Sequence, residues 1–115
     1  MPRYQITLTG AGRGRFEAVM TDHATGWQIV FGDCRREMRD GQNICAGPQT
    51  EGQGLWMLEM RKKADGYYQI DLTDAPHWLI RFEDCELDTE DGRQCITGWC
   101  NQAEMLDECR EGETA

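Results

Sequence analysis

The feature of this chain that most constrains its fold is a recurring alternation of apolar and polar residues between short, glycine-containing turns. In Tyr4–Thr9 the residues Tyr4, Ile6 and Leu8 occupy every second position, which is the period of a half-buried β-strand. Two further alternating segments follow after short turns, Arg15–Thr21 and Trp27–Phe31. Three strands with such close connections predict an antiparallel meander.

A second meander is predicted further along the chain, where the turn Asp65-Gly66 is a strong hairpin signal. It resembles the first in rhythm, without a residue-level repeat that we identify from the sequence. Between the meanders, Cys34–Asp40 is expected to form about two helical turns. Gly41–Gly54, with four glycines and Pro48, is expected to be a long loop. The strands of the second meander are Leu55–Arg61, Tyr67–Thr73 and His77–Phe82.

The end of the chain has the pattern of a short helix. Asn101 is a suitable cap, Glu104 can reach back to it, and apolar residues recur near the helical period. The predicted fold class is therefore α+β, mostly β: one or more six- to seven-stranded antiparallel sheets built from two meanders, with a short C-terminal helix. Residues 1–112 are expected to form one compact domain with an acidic C-terminal third, 83–112, and residues 113–115 a frayed tail.

Size and composition restrict the broad class of protein. The chain has 115 residues, of which 39% are apolar and 29% charged, which is too apolar for a disordered chain. It contains no apolar run of about 18 residues, so no membrane span is expected. Its start leads directly into a strand pattern without the apolar stretch of a secretory signal, so the expected location is the cytoplasm.

The net charge of −9 is concentrated in the last third of the chain. Residues 83–115 hold eleven Asp or Glu and two Arg, whereas the preceding residues are nearly neutral. A localised negative field on a small domain indicates a partner with a positive surface. The same field disfavours direct binding to nucleic acid or to an anionic membrane.

Carboxylates in this third recur at regular spacings. Asp84, Glu86, Asp88 and Glu90 alternate, so an extended chain places them on one face at intervals of about 6.8 Å. Phosphates along one DNA strand lie roughly 6 to 7 Å apart, so such a row can occupy a groove that binds nucleic acid. The alternative is a solvated face that only keeps the protein soluble. A second stripe is predicted on the C-terminal helix: Glu104, Asp107, Glu108 and Glu111.

These patterns predict a non-enzymatic binding or inhibitor protein that occludes a basic, nucleic-acid-binding surface of a protein partner. Small phage- or mobile-element-type antagonists, such as anti-CRISPR inhibitors, share this size and charge placement, and immunity proteins that neutralise nuclease toxins use related physics. An exposed Trp99 is the expected anchor. The predicted partner-binding residues are Asp84, Glu86, Asp88, Glu90, Asp91, Trp99, Glu104, Asp107 and Glu108.

The six cysteines allow three interpretations: reduced thiols that are mostly buried, disulfides, or a zinc site. Only the Cys95-x4-Cys100 spacing approaches that of paired zinc ligands. The alternative function is therefore a small metal- or disulfide-stapled structural subunit of a larger assembly, held through Cys85, Cys95, Cys100 and Cys109. A third hypothesis is a ligand-binding β domain that uses the loop Gly41–Gly54.

Catalytic and cofactor motifs fail at their diagnostic positions. An EF-hand loop starting at Asp84 has Thr89 where Gly is required and Cys95 where Glu is required. The glycines of Gly10–Gly14 lead into a strand and not into a helix, so they predict a hairpin turn and no phosphate loop. No recognisable nucleophile or dinucleotide signature occurs. We therefore expect no enzyme and no cofactor, and we expect Trp27, Trp56 and Trp78 in the core.

Overall fold

The protein is an eight-stranded, closed antiparallel β-barrel. Its computed structural model describes residues 2–74 and 78–105. All strands of the barrel follow one another along the chain through short connections. They are β1 Tyr4–Gly12, β2 Arg15–Asp22, β3 Trp27–Arg39, β4 Gln42–Pro48, β5 Met57–Lys62, β6 Tyr68–Asp74, β7 Trp78–Glu90 and β8 Arg93–Cys100.

Every strand pairs with its neighbours along the chain, and β8 returns to pair with β1, which closes the barrel. In that closing pair Leu8 faces Ile96 and Ile6 faces Gly98. The antiparallel β architecture is thus confirmed, but the predicted class of a six- to seven-stranded sheet with a helix is wrong. Closure removes the exposed edges that open sheets have to protect.

The predicted helix Cys34–Asp40 and loop Gly41–Gly54 are both wrong. Residues 34–39 continue β3, and half of the predicted loop, Gln42–Pro48, is β4. The Asp40-Gly41 turn has φ values of 51° and 78°, the left-handed backbone of the tight turns that join hairpin strands. Cross-strand pairing thus overrides the weak local preference for a helix, because β4 satisfies the backbone of β3.

The predicted C-terminal helix does not begin at Asn101. Residues 101–103 are irregular, and the short strand β9, Glu104–Met105, pairs with Trp78 and Leu79 of β7. Trp78 and Leu79 lie beyond the part of β7 that pairs with β8, so their backbone groups on that side are available to β9. Among the described residues there is no helix, and the rest of the predicted helix, from residue 106 onward, lies outside them.

The barrel interior is a filled apolar core, because alternate residues of every strand point inward. Trp56 is buried there as predicted, and Trp27 packs partly against the core. Trp78 is 40% exposed, so its predicted place in the core is wrong. Its position at the first residue of β7 leaves it at the barrel rim. The largest fully buried side chains include Ile6, Leu8, Met20, Ile29, Phe31, Leu58, Ile70, Leu72, Ile80 and Phe82.

The structure reveals a repeat that the sequence analysis missed. Strands β1–β4 and β5–β8 are equivalent halves, and residues of β3–β4 match residues of β7–β8 that lie 51 positions later. Two four-stranded halves in one closed barrel are related by a pseudo-twofold axis along the barrel. The identical pairs are Trp27/Trp78, Ile29/Ile80, Phe31/Phe82, Asp33/Asp84, Cys34/Cys85, Asp40/Asp91, Gly41/Gly92 and Gly47/Gly98.

The β-bulges of the barrel occur at equivalent positions in the two halves. A β-bulge interrupts the pairing of β2 with β3 before Cys34, and its counterpart interrupts the pairing of β6 with β7 before Cys85. Each of these buried thiols donates to the carbonyl three residues earlier, at 3.9 Å and 3.3 Å. Bulges bend strands, so the equivalent bulges allow both long strands to curve around the core.

Candidate partner-binding surface

The acidic segment is the long hairpin of β7 and β8. Asp91 and Gly92 form its turn with φ values of 51° and 76°, and Glu90 faces Arg93 across the first pair. Both strands also belong to the closed barrel through β6 and β1. The carboxylates of β7 therefore stand on a structured ribbon and not on a free tail.

Three of the predicted carboxylates share the outer face of this ribbon. Leu87 pairs with Ile96, which lies in the core, so the residues on either side of Leu87 point outward. Glu86, Asp88 and Glu90 form this outward row, and all three are exposed. None of them has a cationic partner within 4.0 Å among residues 2–74 and 78–105. We call these three residues the acidic row.

Asp84 and Asp91 do not belong to the acidic row. Asp84 lies in the bulge with a φ of 36°, and its carboxylate accepts a hydrogen bond from Lys63 Nζ at 2.7 Å. This bond is the main reason why the pKa of Lys63 is raised above its ordinary value. Asp91 occupies the hairpin turn. The predicted row of four is thus interrupted at its first member, because the bulge shifts the strand's alternation.

Trp99 lies on the same outer face, further along β8. The outward positions of β8 are those of Arg93, Cys95, Thr97 and Trp99, and Thr97 pairs with Glu86. Trp99 is 46% exposed, and its ring stacks on His23 at a centroid distance of 6.0 Å. The His23 ring is in turn held by Gln5 at 2.9 Å. An aromatic surface fixed in orientation therefore adjoins the acidic row.

Glu104 borders a shallow cleft beside Trp99, together with Glu83 and Arg81. Arg81 donates to Asp71 at 2.9 Å. The pKa of Arg81 is raised, first by this bond, with smaller contributions from Glu104 and Glu83. The cleft therefore carries carboxylates close to Trp99. The predicted residues Asp107 and Glu108 lie outside the described residues.

The sequence analysis missed Glu83 as a member of this surface. Glu83 precedes the bulge residue Asp84, and only the register of β7 shows that it lies near Trp99. The Asp-Cys pair repeated at Asp33-Cys34 and Asp84-Cys85 is the sequence signal of the bulge. Recognition of the repeat would have indicated that the alternation breaks at Asp84.

The five described cysteines form no disulfide. Cys95 and Cys100 are five positions apart on one strand, so they point to opposite faces and cannot share a metal ion. Burial raises the pKa of Cys34 and Cys85 to about 12 and that of Cys100 to about 11. Within the described ranges, no group of three or more His, Cys, Asp or Glu side chains is placed to hold a metal ion.

Comparison of the chain with protein-family models, with curated proteins and with solved structures gives no significant match. Across residues 2–74 and 78–105 there is no helix long and apolar enough to cross a membrane. The geometry and charge of the surface itself are therefore the basis for inferring its function.

Proposed function

We propose that this protein is a non-enzymatic, cytoplasmic binding protein that inhibits a nucleic-acid-handling partner by covering its basic surface. The contact surface is the acidic row with Trp99 and the neighbouring Glu83 and Glu104. The observation that carries the proposal is the ordered, outward placement of three carboxylates without cationic partners among the described residues.

The spacing of the acidic row supports occlusion. Alternate residues of a β-strand stand about 6.8 Å apart, which is of the same order as the distance between phosphates along a nucleic-acid strand. Lysine and arginine side chains arranged for phosphates can therefore meet Glu86, Asp88 and Glu90. Duplex DNA itself would be repelled by this face, so the partner is a protein and not the nucleic acid.

Charge alone gives a fast encounter and little affinity. Complementary charge raises association rates by about 10- to 1000-fold at low salt, whereas exposed ion pairs contribute at most about 1 kcal/mol each. Tight binding needs a desolvated anchor. Trp99 supplies one, because its ring is exposed beside the acidic row and is already oriented by His23.

The test uses the full chain, immobilised, and the protein fraction of the native host cells that is retained on DNA-cellulose. We expect the wild-type protein to capture a basic protein from this fraction. The variant Glu86→Gln/Asp88→Asn/Glu90→Gln is expected to lose at least tenfold in affinity for that protein, because it removes three charge-assisted contacts.

The matched control is Glu17→Gln/Asp40→Asn/Glu51→Gln, which makes the same change in net charge at exposed positions away from the acidic row. It is expected to capture the basic protein like the wild type. Equal losses in both variants would show that only net charge matters, and the proposed surface would be wrong. Undiminished capture by the first variant would contradict the proposal as well.

A further inference from the structure

A cup of about 220 Å³ opens at the barrel end that carries the Asp40-Gly41 and Asp91-Gly92 turns. It does not include the acidic row. Its lining combines buried residues with side chains that are open to solvent. The apolar part includes Phe16, Cys45, Met60, Tyr68, Leu87 and Ile96. Small ligands often bind at the mouths of β-barrels. The side chains at the rim therefore determine which ligands this cup can bind.

Of the three cations in the lining, Arg61 is paired with a carboxylate, that of Glu59, at 3.3 Å. The other two, Arg36 and Lys62, stand at the rim with the amide side chains of Asn43 and Gln94. The Arg36 guanidinium lies over the Phe16 ring, with 5.7 Å from Cζ to the ring centroid. Among the described residues, neither Arg36 nor Lys62 has a carboxylate within ion-pair distance. An apolar floor therefore meets positive charge that the described part of the chain leaves unpaired.

The internal repeat shows how this cup became asymmetric. Phe16 and Tyr68 are equivalent because they face the equivalent residues Cys34 and Cys85. Eight of the twelve lining residues thus form four equivalent pairs: Phe16/Tyr68, Asn43/Gln94, Cys45/Ile96 and Arg36/Leu87. The first three pairs keep their general character, aromatic, amide or apolar. At the fourth, one half has a cation where the other has a leucine. The two walls therefore differ in charge while the floor remains apolar.

We propose that the cup binds a small organic anion with an apolar body, of the size and type of benzoate. Its carboxylate would lie between Arg36 and Lys62, and its ring would contact Met60 and Ile96. The volume suits such a molecule, because an apolar cavity of about 150 Å³ already holds benzene. The proposal is independent of the acidic row and of the protein partner.

The test is a titration of the isotope-labelled full-length protein with sodium benzoate, followed by methyl resonances in NMR spectra. We expect saturable shifts of the Met60 and Ile96 methyl groups, with a Kd on the order of 1 mM or tighter. The Met57 methyl group, exposed outside the cup, is expected not to move. Benzyl alcohol, which lacks the charge, is expected to bind at least tenfold more weakly.

Substitutions test whether Arg36 and Lys62 supply the positive charge that binds benzoate. Arg36→Gln/Lys62→Gln is expected to weaken benzoate binding at least tenfold and to leave benzyl alcohol unchanged. Arg35→Gln is the matched control, since Arg35 precedes Arg36 and pairs with Asp33 at 3.1 Å. Absence of saturable shifts at Met60 and Ile96, or equal binding of benzoate and benzyl alcohol by the wild type, would overturn the proposal. Unchanged benzoate binding by the double variant would also overturn it.

Discussion

Substitution of Gly98 by alanine tests the packing of β8 against the bulge of β7 and against β1. Gly98 is an inward position of β8 that pairs with Ile6 of β1. A Cβ atom added there would overlap the Cys85 sulfur and lie 3.2 Å from Phe82 Cβ and 3.3 Å from Ile6 Cγ2. The backbone of β8 therefore approaches the bulge of β7 more closely than any side chain allows.

The expected cost is that of overpacking a dense core, about 1–3 kcal/mol. For a domain of this size, each kcal/mol lowers Tm by roughly 4 °C, so we expect a drop of about 4–12 °C. Urea denaturation followed by circular dichroism gives the free energy of unfolding, and thermal denaturation gives Tm. A loss below about 0.5 kcal/mol, the range of ordinary surface changes, would refute the packing argument.

A second substitution identifies the clashing atom. Cys85→Ala removes the sulfur that the new Cβ would overlap, so Gly98→Ala/Cys85→Ala is expected to be more stable than the two single effects predict. The coupling free energy should be about 1–2 kcal/mol in favour of the double variant. Additive single effects would show that the Cys85 sulfur is not the obstacle.

The equivalent pair in the other half is the matched control. An added Cβ at Gly47 would lie 2.8 Å from Asp33 O and 2.8 Å from Cys34 Cα, which are backbone atoms. Cys34→Ala leaves both atoms in place. Gly47→Ala is therefore expected to be destabilising and to gain little from Cys34→Ala. Equal rescue in both halves would contradict the distances on which the prediction is based.

Further predictions concern ion pairing, thiol reactivity and turns. Arg3 donates to buried Asp22 at 2.9 and 3.0 Å, which holds the pKa of Asp22 below its ordinary 3.8. The resulting stability is present above that pH and is lost as the pH falls through the folded pKa. Asp22→Asn should thus cost about 1–3 kcal/mol at neutral pH and less near pH 2 in urea denaturation. Iodoacetamide should modify Cys95 in the native protein, as read by peptide mass spectrometry, before it modifies the buried thiols. Those thiols, whose pKa values burial raises to about 11 or 12, are Cys34, Cys45 and Cys85. Gly41→Ala and Gly92→Ala should each cost about 1 kcal/mol, because both glycines have similar positive φ values.

The sequence predicts the strands that have strong local alternation and misses those that depend on a partner. β1, β2 and the first half of β3 were predicted, because Tyr4, Ile6 and Leu8 alternate clearly. The second half of β3 and all of β4 were missed. Their sequences have little local alternation, and they become strands because each pairs with the other and β4 also pairs with β5. Closure through β1 and β8 has no local signal at all.

The residues of the candidate surface also divide into those that local spacing predicts and those that depend on strand pairing. Alternation of Glu86, Asp88 and Glu90 is local, and the structure places them on one face. The same spacing includes Asp84 in the predicted row of carboxylates. Asp84 lies in a bulge, however, and the bulge follows from the pairing of β6 with β7. Glu83 and Glu104 lie near Trp99 because the chain returns to pair along β7. The spacing of residues along the sequence does not predict that pairing.

If the acidic row excludes nucleic acid from a basic surface, as we propose, this protein must displace DNA from its partner. Labelled duplex DNA is bound to the captured partner, and its release is followed by fluorescence anisotropy as the full-length protein is added. We predict stoichiometric release by the wild type and by Glu17→Gln/Asp40→Asn/Glu51→Gln. The variant Glu86→Gln/Asp88→Asn/Glu90→Gln is predicted to need an at least tenfold higher concentration for the same release. A stable complex containing DNA, partner and this protein together would contradict the account.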